Sequence, residues 1–383
     1  MASTVLITFP HSLSSSGGGT VGCVRIAEHL ARLGWEVRLA PVERHAGHPL
    51  IELTGQFAIH PVSPAPFHYL LDALRVRAEV GRLLASGRVQ AVLGWDHEVA
   101  FLPQFLHSRG IAFGMMAARP SYRLWRDWST SLRWLKRRSD AWFRWRPLRQ
   151  ADAIFALSQF TRRELVELFG IQSERVVVAY WGVDNEFFAV PRRKPDALTR
   201  FLFFGSLSPL KGVFDALEAL GKVARAGYRN WTLRVAGWGD EKAVLRAAQD
   251  HGIGTQVELL GRLDHQALRE QLERAELAIL PSRAESFGLA IAEASAAGLP
   301  VVSYATGSIP EVVQDGVTGK LVPLGEIDCL ARSVIELIED PHLAYGIGLA
   351  GRERVRELFS WERTARVIAE TLEAVRTRRL GSR

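Results

Sequence analysis

Two carboxylates eight residues apart, Glu285 and Glu293, and a lysine among turn residues, Lys211, are the side chains whose types and settings suit chemistry. The carboxylates bracket Pro281-Ser282-Arg283-Ala284-Glu285-Ser286-Phe287-Gly288-Leu289-Ala290-Ile291-Ala292-Glu293. Residues 277–280 read as a short buried strand, Ser286 and Gly288 as a turn, and 289–297 as a helix that Gly298 and Pro300 stop. Glu285 then falls just before the helix and Glu293 along its side. A helix N-terminus offers unpaired N–H groups and a positive dipole end, so the backbone from Phe287 to Ala290 can hold a phosphate without a cationic side chain. At about 1.5 Å per residue, Glu293 lies roughly 8 Å down the helix. From there it can accept hydrogen bonds from a ribose diol while Glu285 meets a group on the other side of a diphosphate. A nucleotide sugar has that layout, although the spacing alone equally describes two ordinary surface glutamates.

Lys211 lies in Gly205-Ser206-Leu207-Ser208-Pro209-Leu210-Lys211-Gly212, just after the strand-like run 201–204. Held there by glycine and proline turns, it can neutralise a departing diphosphate and stabilise charge that grows in a transition state. A lysine without that setting is ordinary surface.

Pro-Ser-Arg-Ala-Glu-Ser-Phe-Gly, then Glu293 and Ala297-Gly298-Leu299-Pro300-Val301-Val302, resemble the donor-site motif of family-four glycosyltransferases of the GT-B fold, in the superfamily of glycogen synthase and phosphatidylinositol mannosyltransferase. Gly307, Glu311, Asp315-Gly316 and Gly319 continue the resemblance. It implies an α/β chain of two Rossmann-like, doubly wound domains facing across a cleft. It implies an enzyme that transfers a sugar from a nucleoside diphosphate, UDP or GDP, with retention of configuration. Glu285 would touch donor-sugar hydroxyls, Glu293 would bind ribose, and Lys211 and Glu285 would be the catalytic pair. The donor-binding set is Gly18, Gly19, Gly205, Ser206, Lys211, Arg262, Glu285, Ser286, Phe287, Gly288, Leu289 and Glu293. Arg262, after a turn at Gly261, would approach the base or a phosphate.

The chain departs from the family at two places. Ser206 stands where relatives carry an arginine, and Ala117-Ala118-Arg119 where they often carry a histidine that contacts the donor sugar. Arg119 or His97 is the expected replacement as a sugar or acceptor contact. The sequence holds no Asp-x-Asp pair, so the diphosphate is expected to be held without a metal, and no cofactor beyond the donor is expected.

These side chains need elements to position them. Thr4–Phe9 reads as a first strand, 21–33 as a helix closed by Gly34, and 37–40 as a second strand. A fingerprint G-x-G-x-x-G can be drawn through Gly17, Gly19 and Gly22, but a long polar loop precedes it and no acidic residue ends the second strand, which argues against a dinucleotide site. A flexible glycine loop fits better, and the resemblance places a glycine pair there, near donor phosphates. Helical periodicity over 67–85 and strands over 90–95, 111–116, Ala153–Ala156 and 176–180 continue the alternation, which implies parallel pairing with ligands at the carboxyl ends of strands. Asp96, His97 and Glu98 sit at one such end; as a metal site they lack a defined ligand spacing, and a hydrogen-bonded loop histidine is the simpler reading. The expected domains are 1–188, for the acceptor, and 200–358, for the donor. A proline-punctuated hinge, 189–199, joins them, and a final helix at 359–383 crosses back to the first domain.

With 383 residues, 48% apolar and 23% charged, the chain is long enough for two soluble globular cores. No run reaches the roughly 18 apolar residues of a membrane span and no basic leader precedes the first strand, so the cytoplasm is expected. Cys23 and Cys329 lack the spacing of a zinc site or disulfide framework and are expected to be reduced core residues. The net charge of +7 is concentrated: 119–149 holds ten basic residues against Asp127 and Asp140, interleaved with Trp125, Trp128, Trp134, Trp142 and Trp145. That mixture suits an anionic membrane surface, with Arg123, Trp125, Arg126, Trp128, Arg133 and Trp134 as contacts. It also suits single-stranded nucleic acid, or a solvated helix with its tryptophans in the core. The resemblance favours the membrane, a glycan or lipid-linked acceptor, and no nucleic acid. A non-catalytic nucleotide-sugar-binding scaffold on the membrane is the alternative from another class.

Overall fold

The central strands of the first half are buried at nearly every position instead of alternating, as strands covered by helices on both faces must be. Thr4–Phe9 is buried at all six positions, and so is Ala112–Ala117. In the computed structural model, which describes residues 3–13, 17–43, 57–64, 68–87, 89–119 and 141–381, the chain divides into two units. One is Met1–Gly182 with Trp361–Arg383, the other Val183–Ser360.

The first unit carries β1 (Thr4–Phe9), β2 (Glu36–Pro41), β3 (Ala58–Ile59), β4 (Val89–Gly94), β5 (Ala112–Ala117), β6 (Ala153–Ala156) and β7 (Val176–Val178). They form one sheet in the order β3-β2-β1-β4-β5-β6-β7, every pair parallel. Its helices are α1 (Gly18–Arg32), α2 (His68–Ala85), α3 (Pro103–His107), α4 (Arg146–Gln150) and α5 (Gln159–Phe169). Leu6, Val92, Phe113 and Ile154, from four adjacent strands, meet Val76, Val80 and Leu165 from the helices in one core. The helix Trp361–Gly381 packs against α1, β4, β5 and β6, and Arg379 Nε donates to Asp152 Oδ2 at 3.0 Å.

The second unit carries β8 (Arg200–Leu207), β9 (Thr232–Gly239), β10 (Val257–Gly261), β11 (Leu277–Ile279), β12 (Val301–Tyr304) and β13 (Lys320–Val322), in the order β10-β9-β8-β11-β12-β13. These pairs too are parallel. Its helices are α6 (Asn185–Phe188), α7 (Val213–Arg225), α8 (Glu241–Asp250), α9 (His265–Arg274), α10 (Leu289–Ala296), α11 (Ile309–Val312), α12 (Ile327–Glu339) and α13 (Pro341–Leu358). Both units are thus Rossmann-like and doubly wound, as the alternation of elements implied. In such sheets ligands sit outside the carboxyl ends where the strand order reverses, at β1/β4 in the first unit and β8/β11 in the second.

Three local expectations need correction. The first helix begins at Gly18 and not at 21, so Gly18 and Gly19 form its opening turn. Glycine is tolerated there because those N–H groups have no intrahelical partner in any case. Val183 to Phe188 belong with the second unit: Phe187 is buried with its ring 4.7 Å from that of His265, and α6 packs on α10. The proline-punctuated segment after it is no free hinge. Arg192 donates from Nε to Ala297 O at 2.6 Å, from Nη1 to Ala275 O at 2.7 Å and from Nη2 to Leu272 O. Burial, reinforced by the neighbouring charge of Arg352, lowers the Arg192 pKa to about 10. Cys23 is buried as expected, but Cys329 is only half-buried, its sulfur 3.0 Å from Arg332 Nη2.

Candidate active site

The β8/β11 reversal in the second unit gathers most of the residues singled out from the sequence. The run Gly205 to Lys211 leaves β8, and Pro281 to Gly288 leaves β11 and enters α10. Lys211 Nζ donates to Glu285 Oε1 at 2.6 Å, with Glu285 buried and Lys211 partly exposed.

The loop that carries Glu285 is fixed from several sides. Arg283 N donates to Leu210 O at 2.8 Å, tying the loop to the turn before Lys211. The Arg283 side chain grips Asp215 of α7 through Nε–Oδ2 at 2.8 Å and Nη2–Oδ1 at 2.9 Å, and Tyr304 of β12 donates its hydroxyl to the same Asp215 at 2.9 Å. Burial and the Asp215 carboxylate push the Tyr304 hydroxyl pKa up, so it remains a donor. On the other side Ser308 N and Ser308 Oγ both donate to the Glu285 carbonyl at 3.2 Å. This Asp215–Arg283–Tyr304 network went unread in the sequence: its members lie 68 and 89 positions apart, and the acidic residue in the opening turn of α7 was its one visible trace.

Two glycines are dictated by contact. At Gly212, with φ +74°, a Cβ would sit 1.9 Å from Pro281 O, and at Gly307, with φ +59°, 2.5 Å from Glu285 O. Only glycine lets both backbones close on the Glu285 loop. Gly288, with φ +90°, is the N-cap of α10 and offers no side chain to cap it, so the first-turn N–H groups are left open at the reversal as an anion site needs. Ser286 and Phe287 precede it, both buried, the Phe287 ring edge-on to Phe359 at 5.2 Å. Leu289 is half-buried at the first position. Glu293 follows one turn on, half-buried; burial first and the charge of Asp184 second push its carboxyl up to about 8. Asp184 itself lies 3.1 Å from His265 Nε2.

Ser206, in the place of the expected arginine, meets Ser208 Oγ at 3.0 Å. Gly205 has φ +141°. Arg262 has its guanidinium carbon 5.3 Å from the centre of the Trp238 ring.

The β1/β4 reversal of the first unit gathers the rest. The α1 helix opens there on Gly18 and Gly19, its N-terminus likewise uncapped by a side chain. The turn after β4 is organised by Glu98, which is fully buried and accepts from Thr8 Oγ1 at 3.2 Å, Trp95 N at 2.7 Å and Asp96 N at 2.8 Å. Desolvation, then the charge of Asp96, push Glu98 up to about 8. Arg119 holds both oxygens of Asp96, at 2.8 and 2.7 Å, and Arg144 reaches the same carboxylate at 3.3 Å. His97 is 2% exposed, its ring nitrogens 4.0 Å from Asp72 and 3.9 Å from Asp96. In this position it cannot meet a sugar unless the turn after β4 moves, whereas Arg119 remains partly exposed. Among the described residues no group of His, Cys, Asp and Glu side chains is placed to hold a metal ion. The expected membrane contacts Arg123, Trp125, Arg126, Trp128, Arg133 and Trp134 lie outside the described residues.

A family model for Glycosyltransferase Family 4 matches residues 16–187, and one for Glycosyl transferases group 1 matches 184–354. A glycogen synthase of Mycobacterium tuberculosis is 32% identical over 231 residues, 60% of this chain and 56% of the relative. The chain thus spans about half the length of the curated relatives it matches. Among solved structures, a sucrose-phosphate synthase from Thermosynechococcus elongatus superposes with a TM-score of 0.81 at 20% identity, covering 97% of this chain and 98% of that one. The Anabaena protein HepE, solved in complex with UDP and glucose, does so with 0.75 at 19%, over 96% and 99%. The fold of both units is therefore that of GT-B proteins.

Proposed function

The chain belongs to glycosyltransferase family 4, and we propose that it transfers a sugar, with retention, from a nucleoside diphosphate sugar to a glycan or lipid-linked acceptor, without a metal. The observation that carries this reading is the Lys211–Glu285 pair at 2.6 Å, set beside the open N-terminus of α10. A diphosphate seated on that N-terminus offers Lys211 a more highly charged partner than Glu285. Lys211 then exchanges carboxylate for phosphate and stabilises the negative charge that grows as the bond from C1 to the diphosphate breaks. Glu285, released, accepts hydrogen bonds from donor-sugar hydroxyls. Glu293 accepts from the ribose diol one turn further along α10. Retention means that the acceptor oxygen forms its bond to C1 on the face the diphosphate leaves, and the proton of that hydroxyl departs with the diphosphate.

UDP is the proposed carrier, supported by the UDP and glucose bound to the Anabaena structure, with GDP the other candidate. Gly18 and Gly19, opening α1 at the other reversal, would approach the donor phosphates, and Arg119 the sugar or acceptor. The proposed location is the inner face of the cell membrane, in envelope polysaccharide or glycolipid synthesis. The proposed attachment is peripheral; no helix among the described residues is long and apolar enough to cross a membrane. It is supported by the basic, tryptophan-rich segment and by Trp142 at its described end, 38% exposed with the Arg146 guanidinium 5.3 Å above its ring.

The deciding experiment is a thermal-shift panel of UDP, GDP, ADP and their common sugars on wild type, Lys211→Ala and Glu293→Ala, since a ligand that binds the folded state alone raises its stability. A shift with one nucleotide family, lost in both variants, is expected. No shift with any of them would defeat the reading. For attachment, replacing Trp125, Trp128 and Trp134 together should abolish co-sedimentation with anionic liposomes, and unchanged co-sedimentation would disprove it.

A further inference from the structure

The donor site described so far holds phosphate, ribose and sugar, and offers the nucleobase only Arg262, with no surface to lie on. At the carboxyl end of β9, one strand over from the Lys211 turn, stands Gly237-Trp238-Gly239. Both glycines are pressed against β8: a Cβ on Gly237, with φ +156°, would sit 1.7 Å from Gly205 O, and one on Gly239, with φ +151°, 2.7 Å from Leu207 Cβ. The turn is therefore closed to side chains at 237 and 239. The one position between them, paired in register with Ser206, carries the bulkiest side chain of all.

Trp238 is 42% exposed. Among the other aromatic rings of this unit, Phe201, Phe203, Trp231, Phe287 and Tyr304 are buried and Phe188, Phe214, Tyr228 and Tyr345 half-buried, so none is as open as Trp238. Exposing an indole while neighbouring rings are buried forgoes apolar burial, and here it does so beside the strand reversal. Arg262, from the turn after β10, lies over the ring with its guanidinium carbon 5.3 Å from the ring centre, a cation–π contact that holds the ring's orientation.

We propose that Trp238, braced by Arg262, is the shelf on which the nucleobase of the donor stacks, an assignment that rests on the nucleotide-sugar reading above. Every base has a π-face, so stacking of this kind adds affinity without choosing between uracil, guanine and adenine. Selection among bases would fall to other groups.

The test is calorimetric titration of UDP, GDP, ADP and, as a probe without a base, inorganic pyrophosphate, into wild type, Trp238→Ala, Trp238→Phe and Glu293→Ala. Removing a stacking ring should weaken binding of the nucleotide that wild type accepts by about five- to hundredfold. Pyrophosphate affinity should stay unchanged, and Trp238→Phe should hold within about threefold, since a phenyl ring still stacks. Trp238→Ala binding the nucleotide as wild type does, or losing pyrophosphate by the same factor, would overturn the shelf. If Glu293→Ala weakens binding while Trp238→Ala does not, the shelf is wrong and the donor-site reading stands. If wild type binds none of the three nucleotides, that reading falls and takes the shelf with it. Trp238 is exposed, so its loss is not expected to unfold the chain, and Trp238→Phe controls for that.

Discussion

Lys211 and Glu285 are paired at 2.6 Å, and in the proposed reaction each is the other's placeholder until the donor arrives. Lys211→Ala should lower kcat by about 10²–10³-fold, the loss typical when one preorganised partner of transition-state charge is removed, as measured by release of nucleoside diphosphate. Glu285→Gln keeps the shape but gives up the carboxylate, and Lys211, no longer paired, should then bind inorganic pyrophosphate more tightly than in wild type. Glu293 carries a prediction about pH. Its carboxyl is raised from 4.5 to about 8, so between those values the folded protein binds a proton that the unfolded chain has released. Stability conferred by the neutral form is therefore complete below about pH 4.5, falls as pH rises through 8 and is flat above. Urea unfolding at pH 5, 6.5 and 8 should show that decline, and Glu293→Gln should make it shallower. Glu98, also raised to about 8, will keep part of the slope in that variant.

Among the elements, the Glu285 loop has the least freedom. With Gly307 at φ +59° and its absent Cβ 2.5 Å from Glu285 O, Gly307→Ala should destabilise the second unit by roughly 1–3 kcal/mol, the usual scale for strained backbone. It should also reduce activity, because the carbonyl that must yield belongs to Glu285. Chemical denaturation and initial-rate assays on one preparation would separate the two effects. This loop was legible in the sequence, since its turn residues, the short strand before it and the helix after it lie within one continuous stretch. Its anchors were not: Asp215 holds Arg283, and Tyr304 holds Asp215, across distances along the chain that no local pattern encodes. The start of α1 was misread for a different reason. Glycine argues against a helix interior, yet Gly18 and Gly19 occupy the opening turn, where that penalty matters little and exposed N–H groups are useful.

For the molecule as a whole, alternating strands and helices were enough to reveal two doubly wound sheets, because periodicity is carried by every element. The boundary between units was less legible, since it depends on which core Phe187 enters and on where a single guanidinium ends. Arg192→Ala would leave the carbonyls of Ala297, Ala275 and Leu272 without that donor. Loss of such charge-assisted bonds should cost the second unit roughly 2–4 kcal/mol, seen as earlier unfolding of tryptophan fluorescence in urea with the first unit's transition unchanged. The division of the chain also bears on the order of synthesis. The second unit, Val183–Ser360, is one continuous stretch, while the first takes in Trp361–Arg383 as well. On a ribosome, where domains fold as units from the N-terminus onward, the unit begun first is closed last. Until Trp361–Gly381 emerges, the nascent sheet waits with the faces of α1, β4, β5 and β6 that this helix covers still open, while the later-made unit has already folded.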